Sequence, residues 1–447
     1  MSAPRLGVSA PHLGVSAPRY GWYGDDFTGA TDTLASLAQA GRRALLLLEV
    51  PDAARLAALG PLDALGIAGG ARGMAPDAMR GELEPVGRFF AGLGVRVLHY
   101  KCCSTFDSAP HVGSIGAAVA ALRPFFPNRF VPVVGGQPNI GRYCLFSTLF
   151  AAAGTGGAVH RLDRHPTMKA HPVTPMGEAD LRLHLGAQGL AGLTALHYPD
   201  YALDRAHLAE RLDHLIADGD GCVLLDVARP ADLAPIGRLI WERARLAPLL
   251  AVGPSSVAQA LTTHWALSER PPAGIADAAL EPAAEPVFVM AGSLSPVTRR
   301  QVDAAVSFDR LPADAGQLCG DPAYARRLLE EVATRLRTGR HMLVWTAPPE
   351  GAAADTTRAS GVADATAAFV ASVVREVPLR RVGIAGGDTS SKAVKALGCW
   401  GLSYAATLAP GVTLSRSHSA DRASDGLELM LKGGQMGPED LFERLIS

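Results

Sequence analysis

The sequence predicts an α/β protein of two domains, each built on a mostly parallel sheet flanked by helices. Three observations carry that expectation. Apolar runs of strand length alternate with helically spaced segments along nearly the whole chain. Several of the runs are continuously apolar, as befits strands covered on both faces. The alternation breaks off once, in the Pro-, Ala- and charge-rich stretch 267–286, which reads as a linker. The expected organisation is therefore a flexible tail at 1–19, a first domain at 20–266, the linker, and a second domain at 287–447.

At 447 residues the chain is long enough for each domain to bury a core. The 42 Lys+Arg against 43 Asp+Glu leave no global field to recruit nucleic acid or an acidic membrane, so any basic site must be local. The six cysteines are scattered without a CxxC pair, which suits reduced thiols and a cytoplasmic location. Residues 1–19 hold an imperfect repeat, LGVSAPH then LGVSAPR, and read as a disordered tail rather than a signal peptide. No stretch reaches the roughly eighteen uninterrupted apolar residues that a membrane helix requires.

The first domain opens with the stretch that organises it, 20–41 (YGWYGDDFTGATDTLASLAQAG). A strand breaks at Gly24 into Asp25, Asp26, Phe27, Thr28 and Gly29; Leu34, Leu37 and Ala38 then share a helical face, and Gly41 ends the helix. The apolar run 43–50 returns as the next strand and completes a βαβ unit. Open α/β sheets bind ligands at the carboxyl ends of their strands, where this reading places both carboxylates and the Thr28 hydroxyl. Adjacent acids repel unless a cation, a donor or a proton is supplied. They therefore mark either a functional site or a solvated turn in which an Asp caps the helix.

Strands follow at 95–100, 130–134, 222–226 and 249–252. The first of these runs into Lys101, Ser104, Thr105, Asp107 and Ser108, a dense group of cation, hydroxyls and carboxylate. The second leads through Gly135-Gly136 to Asn139 and Arg142. A guanidinium there suits a ligand carboxylate, through two parallel hydrogen bonds, or a surface ion pair. His160, His165 and His171 lack the spacing of zinc ligands and read as structural.

In the second domain strands are expected at 287–291, 341–346, 381–385 and 427–432, and three of their ends carry glycine. Gly292 precedes Ser293 and the helix start Ser295-Pro296. Gly386-Gly387 precedes Asp388, Thr389 and a helix ending at Gly398. Lys432-Gly433-Gly434 precedes a closing helix at 438–446. Glycine lets backbone approach a ligand, and free amides at a helix start face anions, so the three turns together suggest a phosphate cradle. Neither a P-loop pattern nor GxGxxG occurs, so the familiar nucleotide fingerprints give no support.

Six segments resemble, in order, the motifs of the four-carbon acid sugar kinase family: GDDFTGATD at 24–32, KCCSTFDSAPHVGSIG at 101–116, HPVTPM at 171–176, AGSLSPVTRRQ at 291–301, GGDTS at 386–390 and LKGGQMG at 431–437. The resemblance spans nearly the whole chain after the tail. It implies a two-domain kinase that uses ATP and Mg2+ to phosphorylate the terminal C4 hydroxyl of an acid such as threonate, erythronate or 3-oxo-tetronate, in the cleft between the domains. It puts the sugar acid in the first domain, at Asp25, Asp26, Lys101, Ser104, Thr105, Asp107 and Arg142. It puts ATP in the second, at Ser293, Ser295, Gly386, Gly387, Asp388, Thr389 and Gly433. The chain departs from the family pattern in having GGQMG for the usual SGNFG at 433–437 and QPNIGRYC for the commoner ENGRT form at 137–144, differences that bear on the choice of substrate.

On this reading Arg142 or Lys101 clamps the acid's carboxylate, Asp25 or Asp26 takes the hydroxyl proton, and Asp388 assists Mg2+ at the phosphates. Asp25 lies nearer the strand end. A homodimer would be in keeping with the exposed faces of such kinases. Two other readings stay open: a two-domain sugar-acid and nucleotide-binding protein without catalysis, and an aldolase or isomerase acting through an activated Lys101.

Overall fold

A computed structural model describes residues 18–154, 156–171, 173–269, 280–292, 295–347, 359–434 and 436–447. The first half contributes β1 (Tyr20–Gly24), β2 (Ala44–Leu47), β3 (Ala64–Ala68), β4 (Val97–Lys101), β5 (Val131–Gly135), β6 (Arg142–Leu145), β7 (Thr148–Ala152), β8 (Val159–Arg161), β9 (Thr194–Leu196), β10 (Cys222–Asp226) and β11 (Leu249–Gly253). The second contributes β12 (Phe288–Ala291), β13 (Asp309–Asp314), β14 (Met342–Ala347), β15 (Arg381–Ala385), β16 (Cys399–Ala409), β17 (Val412–Ser419) and β18 (Glu428–Lys432).

These strands correct the expectation of a separate sheet in each domain. A single 15-stranded sheet runs in the order β13-β14-β12-β15-β18-β17-β16-β2-β3-β1-β4-β11-β5-β10-β9, and β6-β7-β8 form a small antiparallel sheet beside it. The weld is the antiparallel pairing of β16 with β2, which sets Leu402 opposite Leu46 and Gly401 opposite Leu47. Each strand would otherwise be an open edge with unpaired backbone groups. The joint escapes a search for apolar runs because β16 (CWGLSYAATLA) and β17 (VTLSRSHS) mix polar with apolar residues.

Beyond the antiparallel β16–β17 hairpin, itself antiparallel to β18, the strands of each half are parallel, and β1, β4, β5, β10 and β11 are buried along their whole length, as helices on both faces require. One cluster of buried side chains runs from Trp22 and Leu46 through Leu402 to Phe288 and Ile384, so the two halves share a core. The helix Phe27–Gln39 lies on this shared region, packing against β16, β17 and the helix Gly387–Ala396. No helix among the described residues is long and apolar enough to cross a membrane.

Three smaller expectations change. The closing helix at 438–446 is only a 3-10 turn at Glu443–Leu445, because Leu441, Phe442 and Leu445 fold inward as a plug. Arg19, at the end of the expected tail, is fastened to Glu269 at 2.7 Å and lies 5.0 Å from the centre of the Trp265 ring. The helix Ser256–Ser268 runs into the expected linker, of which residues 270–279 lie outside the described ones.

The β16–β17 hairpin turns on Pro410-Gly411, with Gly411 at φ 73°. A Cβ on Gly411 would stand 2.5 Å from Met436 Cε and 3.5 Å from Ile140 Cγ2. The tip therefore touches the loop after β18 and the loop after β5, one from each half. Gly411→Ala is expected to cost about 1–2 kcal/mol, through left-handed strain and displacement of Met436, and to lower the melting temperature. An unchanged melting temperature would show that the tip carries no such constraint.

Candidate active site

In the first half the carboxyl ends of β1, β3 and β4 lie side by side, with Gly24 opposite both Ala68 and Lys101. Asp25 and Asp26 follow β1. Asp26 caps the helix Phe27–Gln39, its Oδ1 accepting from Gly29 N at 2.9 Å and its Oδ2 from Thr28 Oγ1 at 2.8 Å. Asp25 is 3 % exposed and caps nothing. Between the two carboxylates stands Arg72, from the turn after β3. Its Nε and Nη2 donate to the two oxygens of Asp25 at 3.2 and 2.7 Å, and its Nη1 donates to Asp26 Oδ2 at 2.9 Å.

Lys101, at the end of β4, completes the cluster and is buried. A side chain on Gly29 would come within 2.2 Å of Lys101 Nζ and 2.5 Å of Asp26 Oδ1, so this glycine leaves the space that the ammonium occupies. Burial opposes the Lys101 charge, but Asp26 and Asp25 outweigh it and hold the ammonium firmly protonated. The two aspartates separate in character. Burial lifts the Asp25 carboxyl above its ordinary value, Asp26 adds to the lift, and Arg72 with Lys101 reverses it only in part. Burial acts on Asp26 in the same sense, but Arg72, Lys101 and the bonds from Thr28 and Gly29 prevail and keep it below the usual carboxylate range. One acid of the pair is thus a stable anion and the other is more basic, a division suited to proton transfer.

The segment after β4 turns back toward this cluster. Thr105 Oγ1 donates to Asp107 Oδ1 at 2.7 Å and lies 3.0 Å from Cys103 Sγ. Burial raises the Asp107 carboxyl, yet Arg72 and the bonds from Cys103 and Thr105 hold it low overall. Ser104 is half-buried and makes no side-chain hydrogen bond among the described residues. Arg142 differs from the expected open clamp. Its Nη1 is occupied by the carbonyls of Ile140, Gly141 and Ala152 at 3.0, 3.3 and 3.2 Å, and its buried Nε has no partner.

Arg72 was not among the candidates read from the sequence. Its signal was present, a strand running into Gly69-Gly70 and then an arginine, but β3 (ALGIA) is short, has only two large apolar residues and does not stand out as a strand. Arg72 nevertheless satisfies the electrostatic requirement that the two adjacent acids posed.

In the second half the ends of β12, β15 and β18 are laced together: Gly292 N donates to Ala385 O at 2.8 Å and Gly386 N to Lys432 O at 2.9 Å. Gly386 has φ 127°, a backbone conformation that favours glycine, and starts the helix Gly387–Ala396. The amides of Gly387, Asp388 and Thr389 fall in its first turn, where a helix has no internal acceptors, and a side chain on Gly387 would meet nothing within 4 Å. Thr389 lies against Gly292, its Oγ1 2.3 Å from where a Cβ would sit. Ser295 caps the helix Pro296–Ala304, accepting from Thr298 N at 3.1 Å. Both Ser295 Oγ and Thr298 Oγ1 donate to Gly434 O, which ties the turn around Gly433 to that helix. Gln301 adds bonds from its Nε2 to the carbonyls of Met436, Gly437 and Pro438 at 3.0, 3.1 and 2.9 Å. Ser293 lies outside the described residues. The other candidates of this half, Ser295, Gly386, Gly387, Asp388, Thr389 and Gly433, come from three adjacent strand ends.

Family models match both halves. Residues 20–261 match a sugar-binding N-terminal domain and residues 288–442 a nucleotide-binding C-terminal domain. A 3-oxo-isoapionate kinase of Paraburkholderia graminis is 38 % identical over 444 residues, covering 94 % of this chain and 92 % of the relative. A 3-oxo-tetronate kinase of Methylobacterium radiotolerans is 32 % identical, covering 95 % and 98 %. Among solved structures, a Salmonella typhimurium protein superposes with a TM-score of 0.78 and a Haemophilus influenzae protein with 0.71. Each is 24 % identical, and the match covers 95 % of this chain and 98 % of that one, which establishes a shared fold. With the sugar-binding and nucleotide-binding models together spanning most of its length, the chain belongs to the four-carbon acid sugar kinase family, phosphotransferases whose acceptor is an alcohol.

Proposed function

We propose that this kinase transfers the γ-phosphoryl group of ATP to the terminal hydroxyl of a 3-oxo sugar acid, in a cleft between the two halves. The observation that carries the proposal is the Asp25–Asp26–Arg72–Lys101 cluster at the strand ends of the sugar-binding half. It offers a basic carboxylate for the acceptor's proton and a protonated lysine for an anionic substrate. Asp25 is the base in this account. Asp26 holds Arg72 and the helix start, and Lys101, whose ammonium is not taken up by carbonyls as the Arg142 Nη1 is, receives the carboxylate.

Two features support a shared cleft. The β1 and β15 strands run in opposite senses within the sheet but stand six positions apart. A twist of about 20–25° per strand accumulates to roughly 120–150° over that interval and turns their carboxyl ends back toward each other. The contact of Ile140 and Met436 around Gly411 likewise joins loops that follow strand ends of opposite halves. Closure over the site would keep water from the phosphoryl donor.

Among the described residues no group of three or more His, Cys, Asp or Glu side chains could cage a metal ion. Mg2+ would come to this site with the nucleotide, and Asp388, exposed in the first turn of the helix Gly387–Ala396, is the residue that would hold it. Such an ion would neutralise charge on the phosphates. The domain division at 20–266 and 287–447 is proposed on the same basis, one half for each substrate.

The relatives' names direct the choice of acceptor toward 3-oxo-isoapionate and 3-oxo-tetronate. The test is a coupled ADP-release assay with ATP, Mg2+ and these acids beside D- and L-threonate and erythronate. ADP release with a 3-oxo acid is expected, with weaker turnover of the hydroxy acids. Silence across the panel would contradict the acceptor class.

A further inference from the structure

We propose that Lys432 is the internal cation of the nucleotide site, left without a counter-charge until the nucleotide's phosphates arrive and taking up a proton as they bind. The inference rests on the nucleotide reading of the second half. Lys432 closes β18 at the meeting of the three strand ends and is 1 % exposed. Its Nζ donates to Thr298 Oγ1 at 2.9 Å, and Thr298 Oγ1 donates in turn to Gly434 O at 3.0 Å. That bond occupies one of the three N–H groups of an ammonium.

A buried lysine is ordinarily paired with a carboxylate, and among the described residues Lys432 has none. Most of the charged groups on the elements around it are engaged elsewhere. Arg299 pairs with Asp303 and Arg300 with Glu439 on the Pro296 helix side, and Lys392 pairs with Asp364 on the Gly387 helix side. Arg381 of β15 and Arg416 of β17 both reach Glu428, at the other end of β18. Asp388 is exposed. A helix start faces the lysine instead: Thr298, which accepts from Lys432 Nζ, lies in the first turn of the helix Pro296–Ala304. It presents the positive end of a helix dipole. A cation enclosed this way is costly alone and becomes favourable once an anion joins it. Burial accordingly brings the Lys432 pKa down to about 7.

The sign of the linkage follows. In the unfolded chain Lys432 keeps its ordinary value of 10.5, so unfolding takes up a proton between about pH 7 and that value, and stability contributed at this residue rises with pH across the window. Binding of phosphate acts in the same direction as unfolding, restoring the charge.

The test is calorimetric titration of the full-length protein with MgADP at pH 6, 7 and 8, in buffers of low and high ionisation enthalpy. Proton uptake should be near zero at pH 6 and rise toward about one per bound ADP at pH 8. Lys432→Arg, charged throughout, should bind MgADP without that rise, and Lys432→Met should bind at least about tenfold more weakly, also without it. If the methionine variant does not fold, wild type and Lys432→Arg decide between them. Binding by the wild type with no uptake at pH 8, or the same uptake in Lys432→Arg, would overturn the inference and leave the kinase reading intact. Absence of MgADP binding by the wild type would overturn both.

Discussion

Asp25→Asn is expected to lower kcat by about 100- to 10,000-fold while changing KM for the sugar acid little, the behaviour of a group whose contribution appears only as the acceptor loses its proton. Shape is nearly unchanged by the substitution, and Arg72 can still donate to the remaining amide oxygen. What disappears is the capacity to accept a proton. Asp25 is the better base of the pair because burial and the neighbouring Asp26 raise its carboxyl, whereas Asp26 is kept ionised by Arg72, Lys101 and its cap bonds. The acid limb of the wild-type kcat/KM profile should therefore lie above the ordinary carboxylate value of 3.8, as a property of the coupled pair. Asp26→Asn should act differently, weakening the helix start and the grip on Arg72 before it touches proton transfer. A kcat for Asp25→Asn within a few-fold of wild type would remove Asp25 as the base.

Arg72→Met should be the most damaging single change in the sugar-binding half. It leaves Asp25, with a side chain 4 % exposed, and Asp26 facing each other with only Lys101 between them. Breaking a buried pair by removing one partner costs about 3–5 kcal/mol, and the lower end applies here because a quarter of the Arg72 side chain is in solvent. Residual activity should have its acid limb shifted to higher pH, since removing a cation raises the pKa of the carboxylate it neutralised and the base then ionises later. Arg72→Lys should recover part of the stability but not the bidentate hold on Asp25. Denaturant unfolding together with a pH-rate profile checks both effects; equal stability of the methionine variant and wild type would show that the pair is dispensable.

The parts of this architecture legible in the sequence were those written in continuous apolar runs. Strands at 222–226 and 381–385 stand where expected because the apolar runs Cys222–Leu225 and Val382–Ala385 are buried throughout. The joint between the halves was not legible, because β16 and β17 gain their stability from pairing with β2 and β18 rather than from a run of large apolar side chains. In the candidate site, Asp25, Asp26, Lys101, Thr105 and Asp107 were visible as charge and hydroxyl at strand ends. Arg72 required knowledge that β3 sits beside β1, a fact of register that no local pattern contains. For Arg142 the converse holds: residue type suggests a free guanidinium, and only the fold shows three carbonyls taking its Nη1.

The central claim is that phosphoryl transfer to a sugar acid joins the two halves in one reaction. It is tested most directly by incubating the enzyme with ATP, Mg2+ and 3-oxo-isoapionate or 3-oxo-tetronate and following the products by phosphorus and proton NMR. The account predicts ADP and, in equal amount, a phosphate ester on the oxygen of the acceptor's terminal carbon. ADP accompanied only by inorganic phosphate, or an ester at any other position, would contradict it.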